Sequence, residues 1–169
     1  MVTYCYDDND ILVCTLRSRK DSELFEKMKE INQHLELRGH KQNNQILDNK
    51  SSTASIDYLN NNGITFQFVP PHMHLRNSVE REIRTFKNHF ITVLCGVHPD
   101  IPLHLWCKLL PQAEMTLNMV RPCRSNPKLS AYSSLEGEFS YKYTPLAPLG
   151  AKVIGLDCPT TRQTWEPHG

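Results

Sequence analysis

Asp48 and Glu80 are the two residues whose position suggests chemistry. Asp48 ends the short apolar run Gln45-Ile46-Leu47, and Glu80 falls three residues after Asn77, where a helical pattern begins. A carboxylate at the end of a strand sits where open α/β sheets build their sites. Two carboxylates from different elements offer the hard oxygens that Mg²⁺ (or Mn²⁺) takes together with water and substrate phosphate. Metal ions held in this way activate an attacking oxygen and stabilise a leaving one in phosphoryl transfer. Arg84 and Lys87 lie at i+4 and i+7 from Glu80, on the same helical face, where cations can hold a phosphate backbone. Other readings of these residues stay open. Asn77-x-x-Glu80 has the spacing of a capping box. Asp48-Asn49 can cap the helix that follows, and Glu80 with Arg84 can be an ion pair on a solvated face.

Several other chemistries are excluded. There is no GxSxG elbow, no GxGxxG and no P-loop. His72 and His74 share one side of an extended loop, but no further Cys or His at a supporting spacing makes them a zinc site. The six cysteines are scattered without a CxxC pair, so they are expected to be reduced and mostly buried. The longest run without charged or strongly polar residues, Phe90–Val97, is far below the roughly twenty residues of a membrane span. No leader pattern precedes Tyr4, so the expectation is a protein that is neither membrane-bound nor secreted, in the nucleus or the cytoplasm.

The elements that must position Asp48 and Glu80 fit one domain of 169 residues. Net charge is +1, but it is uneven: −2 over residues 1–69, +4 over 70–130 and −1 over 131–169. The middle third is therefore where a polyanion would bind. Met1–Tyr6 and Ile11–Leu16 read as strands joined by the turn Asp7-Asp8-Asn9-Asp10. Ser22 as N-cap and Gly39 as C′ residue frame a helix over 23–38, with Leu24, Met28, Ile31 and Leu35 on one stripe. A strand at 45–47, a helix over 51–61 stopped by Gly63, and the alternating strand Ile64–Phe68 follow. From Asn77 a helix to about Cys95 buries Val79, Ile83, Phe86, Phe90 and Val93. A further helix from Pro102, kinked at Pro111, buries Leu105, Leu109, Ala113, Leu117 and Val120. Residues 121–147 read as irregular, and Ala151–Leu156 as one more short strand. Strands both adjacent to one another and alternating with helices predict a mixed α/β sheet covered by helices.

Ile46-Leu47-Asp48-Asn49, the strand Ile64–Phe68, Pro70-Pro71-His72 and Asn77-Ser78-Val79-Glu80-Arg81 together resemble the integrase catalytic core of long-terminal-repeat retrotransposons. That family belongs to the RNase H-like, DDE-type polynucleotidyl transferases. Leu117-Asn118-Met119-Val120-Arg121 and the run from Asn126-Pro127 to Leu135-x-Gly137 resemble its later segments, so the likeness covers about residues 1–155. The resemblance implies an RNase H-like mixed sheet flanked by helices. It implies a partial core over 1–120 and an irregular extension over 121–169.

In that family Asp48 and Glu80 would be the second and third acids of a triad that binds Mg²⁺ or Mn²⁺. Arg84, Lys87, Arg81 and Arg76 would contact DNA, and the protein would form a homo-oligomer. Five departures accompany the likeness. The 31 residues between Asp48 and Glu80 are fewer than usual, and Lys50 places a cation near the metal pocket. The strand that would carry the first Asp lies upstream of the first strand seen, since Asp7, Asp8 and Asp10 fall in a turn. Relatives have a zinc-binding N-terminal domain that this sequence lacks, and they continue beyond the tail Trp165–Gly169. The expectation is thus a chain truncated at both ends. Its ancestral role is to cut and join DNA ends, and it is inactive in itself. The alternative is a non-catalytic remnant that binds DNA or a protein through the 77–95 helix.

Overall fold

The computed structural model describes residues 1–48, 51–69, 78–148 and 151. Its elements run β1 (Val2–Cys5), β2 (Asp10–Val13), α1 (Asp21–Leu37), β3 (Asn44–Leu47), α2 (Thr53–Asn61), β4 (Thr65–Phe68) and α3 (Ser78–Cys95). A 3₁₀ segment (Leu103–Leu109), α4 (Leu110–Val120) and α5 (Ala131–Glu136) follow. The class is α/β, in the element order read from the sequence. Two antiparallel strands, β1 and β2, form one sheet, with Tyr4 opposite Ile11. Two parallel strands, β3 and β4, form another, with Leu47 opposite Phe68. Among the described residues the strands thus make two small sheets, where one mixed sheet was expected.

Edge chemistry accounts for the separation. The terminal pair Met1–Cys14 exchanges hydrogen bonds in both directions. By alternation Thr3 and Cys5 then also bond β2, while Val2 and Tyr4 turn their N–H and C=O groups outward. The outer edge of β2 is closed by side chains of α4. Ile11 N–H donates to Asn118 Oδ1 (3.1 Å) and Ile11 C=O accepts from Asn118 Nδ2 (2.9 Å). Val13 N–H donates to Glu114 Oε2 (2.6 Å). No further strand can pair on that side.

The β1–β2 hairpin lies between two helical layers. One face carries Ile11, Val2, Tyr4 and Val13 against Phe86 of α3 and Leu110, Ala113 and Leu117 of α4. The opposite face carries Leu12 and Cys5 against Ile31 and Leu35 of α1 and Leu135 of α5. A separate cluster joins Met28 of α1 to Leu47, Leu59 and Ile64. Among the described residues helix α1 alone contributes to both of the last two clusters, its first half packing beneath β3 and β4 and its second beneath the hairpin.

Both expected helix stops hold, and for the same reason. Gly39 and Gly63 sit at φ +83° and +67°. His40 N–H donates to Leu35 C=O and Gly39 N–H to Glu36 C=O. Ile64 N–H donates to Leu59 C=O and Gly63 N–H to Asn60 C=O. These are Schellman closures, which need the left-handed conformation. Gly63→Ala should cost about 1 kcal/mol, read as a lower urea midpoint at unchanged slope. An unaltered midpoint would mean that the α2 stop does not depend on that conformation.

Other local expectations need correction. Helix α1 starts after Lys20, with no side-chain cap, and Ser22 lies inside it. The helix from Pro102 is a 3₁₀ segment followed by α4, with Pro111 in the first turn of α4 rather than at a kink. The 3₁₀ geometry moves Leu105 off the buried stripe, and Val120, at the end of α4, is 77% exposed. The stretch read as irregular contains α5, capped by Ser130, whose hydroxyl accepts from Ser133 N–H. The cysteines among the described residues are free. Cys123 is buried but Cys95 is exposed, against the expectation of general burial. No helix among the described residues is long and apolar enough to cross a membrane. The strand expected at Ala151–Leu156 lies, beyond Ala151, outside the described residues.

Candidate functional site

Asp48 immediately follows β3 and is exposed. Hydrophobic burial of Leu47 fixes the end of that strand, and Ser51 donates its N–H (3.2 Å) and its hydroxyl (2.9 Å) to the Asp48 carbonyl. The carboxylate therefore stands at the carboxyl end of a parallel strand, as the sequence predicts. Glu80 lies exposed in the first turn of α3, with Arg81, Arg84 and Lys87 also exposed further along the helix. Arg81 Nε lies 3.4 Å from Glu82 Oε1, so one of the expected DNA contacts also faces a buried acid. Arg76, Asn77, Lys50, His72 and His74 lie outside the described residues.

The opposite face of α3 differs from expectation. Ile83 is 43% exposed, while Glu82 is buried. At 100° per residue Glu82 lies about 40° from the buried Phe86 and Ile83 about 60°, so the acid is nearer the centre of the packed face. It is retained there by Arg121, whose Nη2 lies 2.8 Å from Glu82 Oε2. The same guanidinium donates from Nε to Asn9 C=O (2.8 Å) and from Nη2 to Asn9 Oδ1 (2.6 Å). Tyr4 hydroxyl donates to Asn9 Oδ1 as well (2.9 Å). One largely buried cation, its side chain 14% exposed, thus ties α3, the hairpin turn and the end of α4 together.

Around the far face of the hairpin sits a second polar group that the sequence reading did not identify. Asp8 accepts from Ser134 hydroxyl (2.7 Å) and faces His40 Nδ1 at 3.0 Å. Glu136 contacts His34 of α1 and Arg38, the residue that caps the end of that helix. Burial pushes the Asp10 carboxyl up to about 6, and Asp8 beside it adds to the rise. Burial also pushes Glu114 up to about 7, against the lowering effect of the Val13 N–H. Both acids hold protons more tightly folded than unfolded. Their contribution to stability is therefore full below about pH 4 and is lost as the pH rises through about 6 to 7. Glu114→Gln, which keeps an acceptor for Val13 N–H, should raise the urea midpoint at pH 8 by more than at pH 4. An equal shift at both would mean that ionisation of Glu114 plays no part.

As a donor set, Asp48 and Glu80 offer hard carboxylate oxygens from two elements, the type Mg²⁺ accepts with water and phosphate completing the shell. Among the described residues no group of three or more His, Cys, Asp or Glu side chains could hold a metal ion.

No family model matches the chain. No curated protein matches it either. A chain of the cryo-EM structure of the simian T-cell lymphotropic virus intasome in complex with PP2A regulatory subunit B56 gamma is similar in fold, with a TM-score of 0.58 at 12% identity. The match covers 94% of this chain and 58% of that one, so this chain spans little more than half the length of its structural neighbour.

Proposed function

We propose that the chain is part of a retroelement integrase-like polynucleotidyl transferase core of RNase H-like architecture, acting on DNA ends. One observation carries the reading. In a chain whose fold is similar to one in a retroviral intasome, Asp48 stands exposed at the end of a parallel strand. Glu80, Arg84 and Lys87 stand exposed along α3. Asp48 and Glu80 would hold Mg²⁺ (or Mn²⁺), which when bound supplies Lewis-acid activation of the attacking oxygen. Arg84 and Lys87, with Arg81 and Arg76, would hold the phosphodiester in line, and the core would act as a homo-oligomer.

The two small sheets would be parts of one mixed sheet with the place of one strand between them. The outward N–H and C=O groups of Val2 and Tyr4 on β1 support this, as do those of Asn44 and Ile46 on β3. By the register with β4, where Thr65 N–H bonds Asn43 C=O and Val69 N–H bonds Leu47 C=O, these β3 groups face away from β4. A strand inserted there would satisfy both edges and could bring the remaining carboxylate.

The first test is binding of duplex DNA over a range of salt. Each phosphate contact contributes about 0.9 to the slope of log affinity against log salt, so Arg84→Ala with Lys87→Ala should lower the slope by about 2. An unchanged slope would move the DNA face elsewhere. A second reading, a non-catalytic module that docks on DNA or protein, draws on the exposed Ile83, Ile91 and Leu94, which lie among the cations of α3. Glu80→Gln separates the two. It should leave a docking module unaffected and abolish metal-dependent chemistry in an intact integrase.

A further inference from the structure

Between β2, α4 and α5 lies a cavity of about 170 Å³. Asp10 and Glu114 line it with Tyr132 and Asn118, and Leu12, Met115 and Leu135 form apolar wall. Asp10 is 1% exposed, and its Oδ1 has no hydrogen-bond partner. An orphaned buried carboxylate oxygen costs free energy unless something polar meets it. The neighbouring charges do not meet it. His34 and Arg38 are engaged by Glu136, Arg121 by Glu82 and Asn9, and Asp8 adds a further negative charge.

A group that satisfies this cavity must be cationic, must donate hydrogen bonds, and must carry apolar surface for Leu12, Met115 and Leu135. Glu136 also lines the cavity but is engaged by His34 and Arg38, and no group of three or more His, Cys, Asp or Glu side chains among the described residues could hold a metal ion, so the donors do not suit one. We propose that the cavity binds a primary ammonium group on a short aliphatic stem, the ammonium donating to Asp10 Oδ1 and to the carboxylate of Glu114. An ammonium is a compact point charge with three donors on a flexible stem, and its methylenes would cover the apolar wall. The ligand is either a small free amine or a lysine side chain presented by another chain. This site is independent of Asp48, Glu80 and the DNA reading.

The probe is n-butylammonium chloride, compared with sodium chloride at equal concentration, in thermal unfolding of the full chain. A saturable rise in Tm is expected at pH 8, where both carboxyls are ionised. At pH 5 the affinity should fall by about tenfold or more, because both acids then carry protons and cannot pair with the cation. Asp10→Asn with Glu114→Gln should remove the response at pH 8. His34→Gln, which alters only a partner of Glu136 at the rim, should retain it. Binding of Nα-acetyl-lysine amide as well as n-butylammonium identifies a lysine side chain as the ligand, and binding of n-butylammonium alone identifies a free amine. The proposal is overturned by a Tm response no greater than that to sodium chloride, or by a double variant that responds like the unaltered chain. Should that variant not fold, an unaltered chain that responds equally at pH 5 and pH 8 overturns it as well.

Discussion

Arg121→Ala is expected to lose about 3 kcal/mol of folding stability, because it leaves the buried Glu82 with only the longer contact to the exposed Arg81. Asn9 would also lose two of its donors in the hairpin turn. Glu82→Leu combined with Arg121→Met should lie much closer to the original chain, since removing both charges avoids the desolvated anion. Urea unfolding of the three proteins checks this. If Arg121→Ala costs no more than the double variant, Glu82 is reached by water in solution and Arg121 is a surface cation.

The second large effect concerns catalysis. Assayed alone with Mg²⁺ or Mn²⁺, the 169 residues are expected neither to trim nor to join retroelement-end oligonucleotides above background. Two carboxylates hold one metal ion at best, and the paired-metal clamp on attacking and leaving oxygens needs further ligands. Loss of such preorganised charge removes several kcal/mol of transition-state stabilisation, on the order of 10³-fold in rate or more. A longer chain that supplies an Asp-bearing strand to the open edges of β1 and β3 should gain activity, and Glu80→Gln should abolish it again. Robust strand transfer by the 169 residues alone would mean that every carboxylate the proposed site needs lies within them.

Much of the framework was legible because local rules govern it. The stripes of α1 and α3 and the glycine stops after α1 and α2 depend on neighbours within a turn or two. Asp48 was legible as a strand-end carboxylate and Glu80 as the opening of a strongly periodic helix. Helix α5 was not, since six residues are too few to show a period and its composition is that of a loop. Glu82 was passed over for Ile83 because hydropathy assigns an isoleucine to the core. A glutamate is buried only when a distant partner such as Arg121 meets it. Asn118 and Glu114 were equally silent, for their role is to close a strand edge far away in the chain.

That last feature governs when the hairpin can fold. The helix–strand unit from β3 to β4 closes within about twenty-five residues of chain, and short loops close cheaply and fast. The β1–β2 hairpin emerges before α4 and α5 during synthesis, but a lone two-stranded hairpin is marginal in water. One face can pack on the nearby α1, but its outer edge waits for partners that lie 101 to 107 residues further on. The outer edge of β2 therefore stays open and adhesive until α4 has left the ribosome. The hairpin is made before the helix that closes its edge and is completed only with it.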